Sequence, residues 1–249
     1  MTDILPFLYL PFLAGLILTG IHAYLGVHVV ERGVIFVDLS LAQIAALGTI
    51  IGAGIFAMTR VHRETRIPRE AIIGIVYAVS AAAAILAMSK ATGETEHLKD
   101  MLVGNILSVN LSTVLRTAGL YALVGLFHFI FRKKFLAISL GETIPHMKLW
   151  DFLFYVSFGF VVTSSVAIAG VLLVFSYLIV PSVAAMLYAR TIGARLAIGW
   201  TMGALVSALG ILLSFKLDLP TGATIVCTFG IALALMAAVW ATKNRFIGA

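Results

Sequence analysis

Asp38 sits in an otherwise aliphatic run, Val34-Ile35-Phe36-Val37-Asp38-Leu39-Ser40-Leu41-Ala42-Gln43. A carboxylate among aliphatic side chains is costly to keep ionised. It is there either as a structural charge at an interface or as a hard oxygen ligand and charge trap on an ion path. His28 and Glu31 precede it in sequence, and Glu94, Glu96 and His97 follow in a polar stretch. Imidazole with carboxylate is a donor set for a divalent cation, nitrogen favouring transition metals and oxygen the harder ions. The candidate metal-handling residues are therefore Asp38, Gln43, His28, Glu31, Glu96 and His97; read singly, each loop residue is equally an ordinary solvated side chain. No other constellation does chemistry. The chain lacks Gly-x-x-x-x-Gly-Lys-Ser/Thr, so it does not hydrolyse nucleotide by that route. It has no Cys/His zinc spacing and no His-Glu-x-x-His, and it shows no paired nucleophile and base. It reads as something other than an enzyme, with no cofactor of its own.

The elements that position these residues follow from composition. Of 249 residues, 61% are hydrophobic and only 11% charged, against roughly 25% charged in soluble domains. Such a chain cannot cover a water-facing surface, so its solvent is lipid. Backbone groups in lipid must be satisfied within the segment, which leaves helices or closed barrels. The apolar runs are long and lack the alternation of barrel strands, so the fold class is an all-α integral membrane protein in a single transmembrane domain, 1–249. Apolar runs between charged clusters predict about eight spans, near 4–27, 34–58, 70–89, 112–131, 151–169, 170–188, 196–215 and 221–241. The stretch from Asp151 to Tyr188 is too long for one crossing, and Thr163-Ser164-Ser165 with Gly170 marks the expected break. Pro181 predicts a kink or short break, and Thr221 can cap the last helix.

A net charge of +6 raises nucleic acid as a partner, but no basic face with interleaved aromatics exists, so none is expected. The cations instead sit between apolar runs. With eight spans, Arg60 to Arg69, Arg132 to Lys148, Arg190 with Arg195, and Lys243 with Arg245 share one side with both termini. Arg32, Lys90, Lys99, Arg116 and Lys216 fall on the other. The excess of positive charge makes the first side cytoplasmic. Both termini are then expected in the cytoplasm, with His28, Glu31, Asp38, Glu96 and His97 at the external mouth. The single cysteine, Cys227, permits no internal disulfide and reads as packing. The N-terminus lacks a basic region and cleavage site and reads as a first membrane helix.

Three stretches carry a resemblance. They are Gly26 to Gly33 running into the Asp38 segment and Leu41 to Gly48; Ala169 to Val174 with Leu178-Ile179-Val180-Pro181-Ser182-Val183-Ala184-Ala185; and Asp218-Leu219-Pro220-Thr221-Gly222-Ala223-Thr224. In this order and spacing the chain resembles the membrane permease subunits of ABC importers for zinc, manganese or iron, over nearly its whole length. The resemblance implies the helical fold of vitamin-B12 and metal ABC importer permeases and residence in the cytoplasmic (inner) membrane. It also implies a homodimer of permeases, two separate ABC ATPase subunits that bind and hydrolyse ATP, and an external metal-binding protein that delivers the ion. It further implies that Ala189-Arg190-Thr191-Ile192-Gly193-Ala194-Arg195 is the coupling segment that docks into the ATPase; an ordinary basic cytoplasmic turn is the other reading.

One departure from the family pattern bears on the metal. Family members commonly place Asp and His one helical turn apart in the second span, and here Gln43 stands where the His would be. Residues at i and i+5 differ by about 140° around a helix, so Asp38 and Gln43 do not share a face. An amide is also a poorer transition-metal ligand than imidazole. Against the ATP-driven permease stands a self-sufficient secondary transporter or channel driven by an ion gradient; a permease should carry an ATPase with it and be inert alone.

Overall fold

The computed structural model describes residues 4–32 and 106–247. Helix α1 (Ile4–Glu31) is apolar on every side, the pattern of a helix buried within a bundle or in lipid. It lies at the centre, packed against most of the other elements. A 3-10 turn (Ile106–Ser108) leads into α2 (Leu111–Ile130), which starts where the Asn110 side chain accepts from the Thr113 amide at 2.9 Å, satisfying one orphan donor of the first turn. On α2, Val114, Thr117, Tyr121, Val124 and His128 are buried at alternating three- and four-residue spacing, a seam of one helix face. Leu115, Leu123, Leu126 and Phe129 are exposed, as lipid-facing side chains of a spanning helix should be. Short α3 (Arg132–Ser139) follows, its Phe135, Ile138 and Ser139 turned inward and its Arg132, Lys133 and Lys134 outward.

Helix α4 (Met147–Tyr188) is 42 residues long and contains the reversal that positions the rest. Gly170 has φ 74° and ψ 163°, a backbone state that residues with a Cβ rarely adopt. Asp151, near the start of α4, is paired with Arg32, while Ala189, at its end, accepts from Arg195, which is itself paired with Glu31. Both ends of α4 therefore lie beside neighbouring residues of α1. An unbroken helix would hold them about 57 Å apart at 1.5 Å per residue. The chain instead folds back at Gly170, so residues 147–169 and 171–188 form two arms, as Thr163 to Gly170 predicts. Gly170 has the only non-helical dihedrals inside α4; of the kink or short break expected at Pro181, the break is not there, since the backbone stays helical through it.

Helix α5 (Ile192–Leu217) begins at Thr191, whose hydroxyl accepts from the Ala194 amide at 3.4 Å. Asp218, at φ 51°, ends it, and α6 (Thr221–Ile247) follows at once. Thr221 does not cap α6: it is already helical, and its hydroxyl lies 2.7 Å from that of Ser214. Small residues set the close approaches, as they do where lipid offers no hydrophobic drive between helices. Gly203 of α5 faces Thr19 of α1, Gly199 faces Ala23 and Pro181, and Gly210 faces Ile225 of α6. Cys227 on α6 is exposed.

These contacts fix direction. His28 lies beside Phe154 and His22 beside Tyr121, which bonds Ser165, so the first arm of α4 runs opposite to α1. Gly199 and Gly203 meet Ala23 and Thr19 in reverse order, so α5 also opposes α1. Tyr188 donates to the Met236 carbonyl at 2.5 Å, and Gly210 meets Ile225, so α6 runs the same way as α1. The beginning of α1 and the end of α6 thus lie at opposite ends of the bundle, where the counting of eight spans predicts one side. Among the described residues five helices are long and apolar enough to cross a membrane, and each arm of α4 has by itself about the length one crossing needs. The predicted spans near 34–58 and 70–89 lie outside the described residues.

Candidate functional site

The last turn of α1 gathers the charged groups. Arg32 places its guanidinium 3.9 Å from the centre of the Phe154 ring. It donates through Nη1 to Asp151 at 2.5 Å and through Nε to the Ser139 hydroxyl at 3.0 Å. Its other terminal nitrogen, Nη2, is buried with no hydrogen-bond partner. A planar fork that can stack on a ring while pairing with a carboxylate is what distinguishes arginine from lysine here. Ser139 donates to the Phe135 carbonyl at 2.9 Å, which leaves His28 Nδ1 to donate to the Ser139 oxygen at 2.7 Å. Glu31, next along, pairs with Arg195, whose Nε also donates to the Ala189 carbonyl at 3.1 Å.

Deeper in the bundle a polar seam continues between α1, α2 and the first arm of α4. His128 stacks on Phe135 at 4.3 Å between ring centres. Because Ser157 donates to the Phe154 carbonyl, His128 Nε2 donates to Ser157 at 2.7 Å, and its Nδ1 accepts from the Tyr24 hydroxyl at 3.3 Å. The Tyr121 hydroxyl bonds that of Ser165 and accepts from Ser164 at 3.2 Å. His22 donates from Nδ1 to the Leu18 carbonyl at 2.8 Å, while its Nε2 and the nearby Thr19 hydroxyl are buried without a hydrogen-bond partner. Buried polar groups in proteins are nearly always paired, and intramembrane ionisable groups mark pathways. Even so, no group of three or more His, Cys, Asp or Glu side chains among the described residues could hold a metal ion. The seam clamps helices together rather than forming a closed ligand cage.

The predicted site residues fare unequally. Asp38, Gln43, Glu96 and His97 lie outside the described residues. His28 and Glu31 do not form an open antechamber. His28 is buried, bonded to Ser139 and enclosed by Tyr24 and Phe154, and the Glu31 carboxylate is taken by Arg195. Nor does Glu31 face away from the segment Ala189 to Arg195, as strict alternation of eight spans requires; it is paired with Arg195. That segment shows Arg190, Thr191, Gly193 and Ala194 to the outside and buries Ala189. Arg195, a member of the segment expected to dock into the ATPase, is engaged within the chain by Glu31 and the Ala189 carbonyl. Gly193 has an ordinary helical backbone in the first turn of α5, so its conformational freedom is not what the turn uses.

Arg32, Asp151, Tyr24 and His128 are the functional-looking residues that sequence reading missed. Asp151 carried a signal, as the only charge in the stretch to Tyr188, but nothing in the sequence named Arg32 as its partner.

The sequence pattern of the ABC 3 transport family matches residues 27–241. A probable iron transport system membrane protein of Haemophilus influenzae is 26% identical over 235 residues, covering 86% of each chain. The manganese import system permease protein ScaB of Streptococcus parasanguinis is 26% identical over 81% of this chain and 74% of its own. Among solved structures, PsaBC from Streptococcus pneumoniae in complex with Fab superposes with a TM-score of 0.79 at 23% identity, over 94% of this chain and 93% of that one. At that identity the likeness is one of fold.

Proposed function

The chain belongs to the ABC 3 transport family, and from that premise we propose that it is the permease subunit of an ATP-driven importer for a divalent transition metal, manganese or iron. The observation that carries this reading is the family match, which runs from the last turn of α1 into α6. Relatives named for iron and for manganese transport support the choice of cargo. In this reading two copies form the pore, two ATPase subunits supply the energy, and an external metal-binding protein delivers the ion.

The end of the bundle bearing Arg32, α3, Lys148, Arg190 and Arg195 is the cytoplasmic one, because cations collect there and only Arg116 and Lys216 lie toward the other end of the described helices. The chain then starts outside and finishes inside. Asp38 remains the proposed ion-path carboxylate, and Ala189 to Arg195 the ATPase-docking segment.

The test is uptake of Mn(II) and Fe(II) by proteoliposomes holding the complex purified through a tag on this chain. ATP-dependent uptake with a co-purifying ATPase is expected. Uptake by this chain alone, driven by an ion gradient without ATP, would establish the secondary-transporter reading instead.

A further inference from the structure

We propose that Glu31 is a positioning residue for transport: its ion pair with Arg195 hands movement of the ATPase-docking segment to α1. This rests on the docking role proposed above for residues 189–195.

The observations are geometric. Arg195 grips the segment at both ends, since it belongs to the first turn of α5 while its Nε holds the Ala189 carbonyl at the end of α4. The Thr191 cap closes the turn between them. The seven residues 189–195, bound this way, move as one piece, and the outward face of that piece is Arg190, Thr191, Gly193 and Ala194. Its inward handle is the remaining arm of the Arg195 fork, on Glu31. The side chains of this pair are 14% and 21% exposed, so the pair is neither freely solvated nor diluted by salt as a surface pair would be.

Arg32 makes the handle directional. One residue beyond Glu31, it is fastened to Ser139 of α3 and to Asp151 and Phe154 of α4. Adjacent residues of α1 are thus tied to two different pieces of the bundle. A push on the docking segment is resisted at Arg32 and delivered at Glu31, which turns the end of α1 instead of translating it. The chain runs from there straight into the segment that carries Asp38.

The test uses the tagged complex with its co-purifying ATPase in proteoliposomes, with Mn(II) as the probe, and measures ATP hydrolysis and uptake on the same vesicles. Glu31→Gln and Arg195→Gln should keep ATP hydrolysis while metal moved per ATP falls about tenfold, within the ordinary range of coupling. Glu31→Asp should keep most of the wild-type ratio, and the exchange Glu31→Arg with Arg195→Glu, which keeps the ion pair but gives up the bond to the Ala189 carbonyl, should recover part of it, to at least about twofold above either single variant. Rescue by exchange also separates this role from metal ligation, which an arginine at position 31 would destroy. An unchanged ratio in Glu31→Gln overturns the proposal. If the single variants fail to insert, the exchanged pair decides: recovery supports the pairing and its absence overturns it. A wild-type complex that carries no ATPase removes the docking reading itself, and the proposal with it.

Discussion

Arg32 and Asp151 stand 119 positions apart in the chain and meet at 2.5 Å, with the Arg32 side chain only 6% exposed. The pair fastens the end of α1 to the start of α4 and closes one end of the bundle. It also shows that strict alternation of eight spans misplaces this end, since that alternation sets Arg32 on the side opposite Arg132 to Lys148 while the fold sets it beside Asp151. The positive-inside count treats every arginine between spans as a solvated loop charge, whereas Arg32 is a buried structural one. Once it is seen against Asp151, the charges nearest it belong to the side rich in lysine and arginine.

Asp151→Asn should destabilise the protein by about 3 kcal/mol, because removing one member of a largely buried pair strands the other charge. Arg32→Lys should recover little, since an ammonium cannot lie on Phe154 and bridge Asp151 and Ser139 together. Thermal unfolding in detergent measures both. A loss below about 0.5 kcal/mol for Asp151→Asn would mean that the pair behaves as an exposed one.

Gly26→Ala should cost about 1–3 kcal/mol through overpacking. A Cβ there runs into the Leu178 carbonyl and the Ser182 hydroxyl, and backbone on the second arm of α4 cannot swing aside as a side-chain tip could. Gly119 and Gly125 of α2 are the controls. Nothing lies within 4 Å of a Cβ at either position, so alanine there should be neutral or gain up to about 1 kcal/mol of helix propensity. Equal effects at all three positions would show that α1 and α4 do not approach as closely as described.

What was legible in the sequence follows from what is local. Helical class, the spans that fall within the described residues and the reversal at Gly170 depend on runs of apolar residues and on one residue's backbone freedom, and among the described residues each appears within about two turns of where the pattern predicts. Of the segment Ala189 to Arg195, only 189–191 lies between two helices; the Thr191 cap starts α5 at Ile192, four residues before the expected span, so Ile192 to Arg195 form its first turn. Orientation was not legible, because it depends on pairs such as Glu31 with Arg195 and Arg32 with Asp151. Their members are more than a hundred residues apart, and no periodicity records their meeting. The same reason hid the His28, Ser139 and Arg32 arrangement: a histidine near acidic residues in sequence suggests a ligand, while in the fold a serine from α3 and aromatic rings from α1 and α4 enclose it.

Asp38→Asn should abolish ATP-dependent Mn(II) uptake while the complex still assembles, since a lone carboxylate in an apolar run of a transport protein is retained for the ion. Normal uptake velocity in proteoliposomes would remove Asp38 from the path. Gln43→His provides the complementary measurement. If the glutamine reflects weaker coordination, an imidazole there should tighten metal retention and slow release. Unchanged binding and kinetics would place Gln43 off the path, as its roughly 140° offset from Asp38 permits.

Gly193→Glu should uncouple the transporter without disturbing the fold. Gly193 is exposed, its backbone is helical, and a Cβ there meets nothing within 4 Å, so a larger side chain fits the isolated permease. A carboxylate in the first turn of α5 even lies at the favourable end of the helix dipole, so thermal stability should be unchanged or slightly raised. Harm from the substitution therefore has to arise where this surface meets another protein. The expected result is normal membrane insertion with either loss of the co-purifying ATPase or ATP hydrolysis that no longer responds to metal delivery. Labelling at position 192 supplies the orientation control: in Ile192→Cys, a membrane-impermeant thiol reagent should react only after the cytoplasmic face is opened. Labelling from outside intact cells would invert the bundle and exclude residues 189–195 as the ATPase contact, whatever Gly193→Glu does to transport.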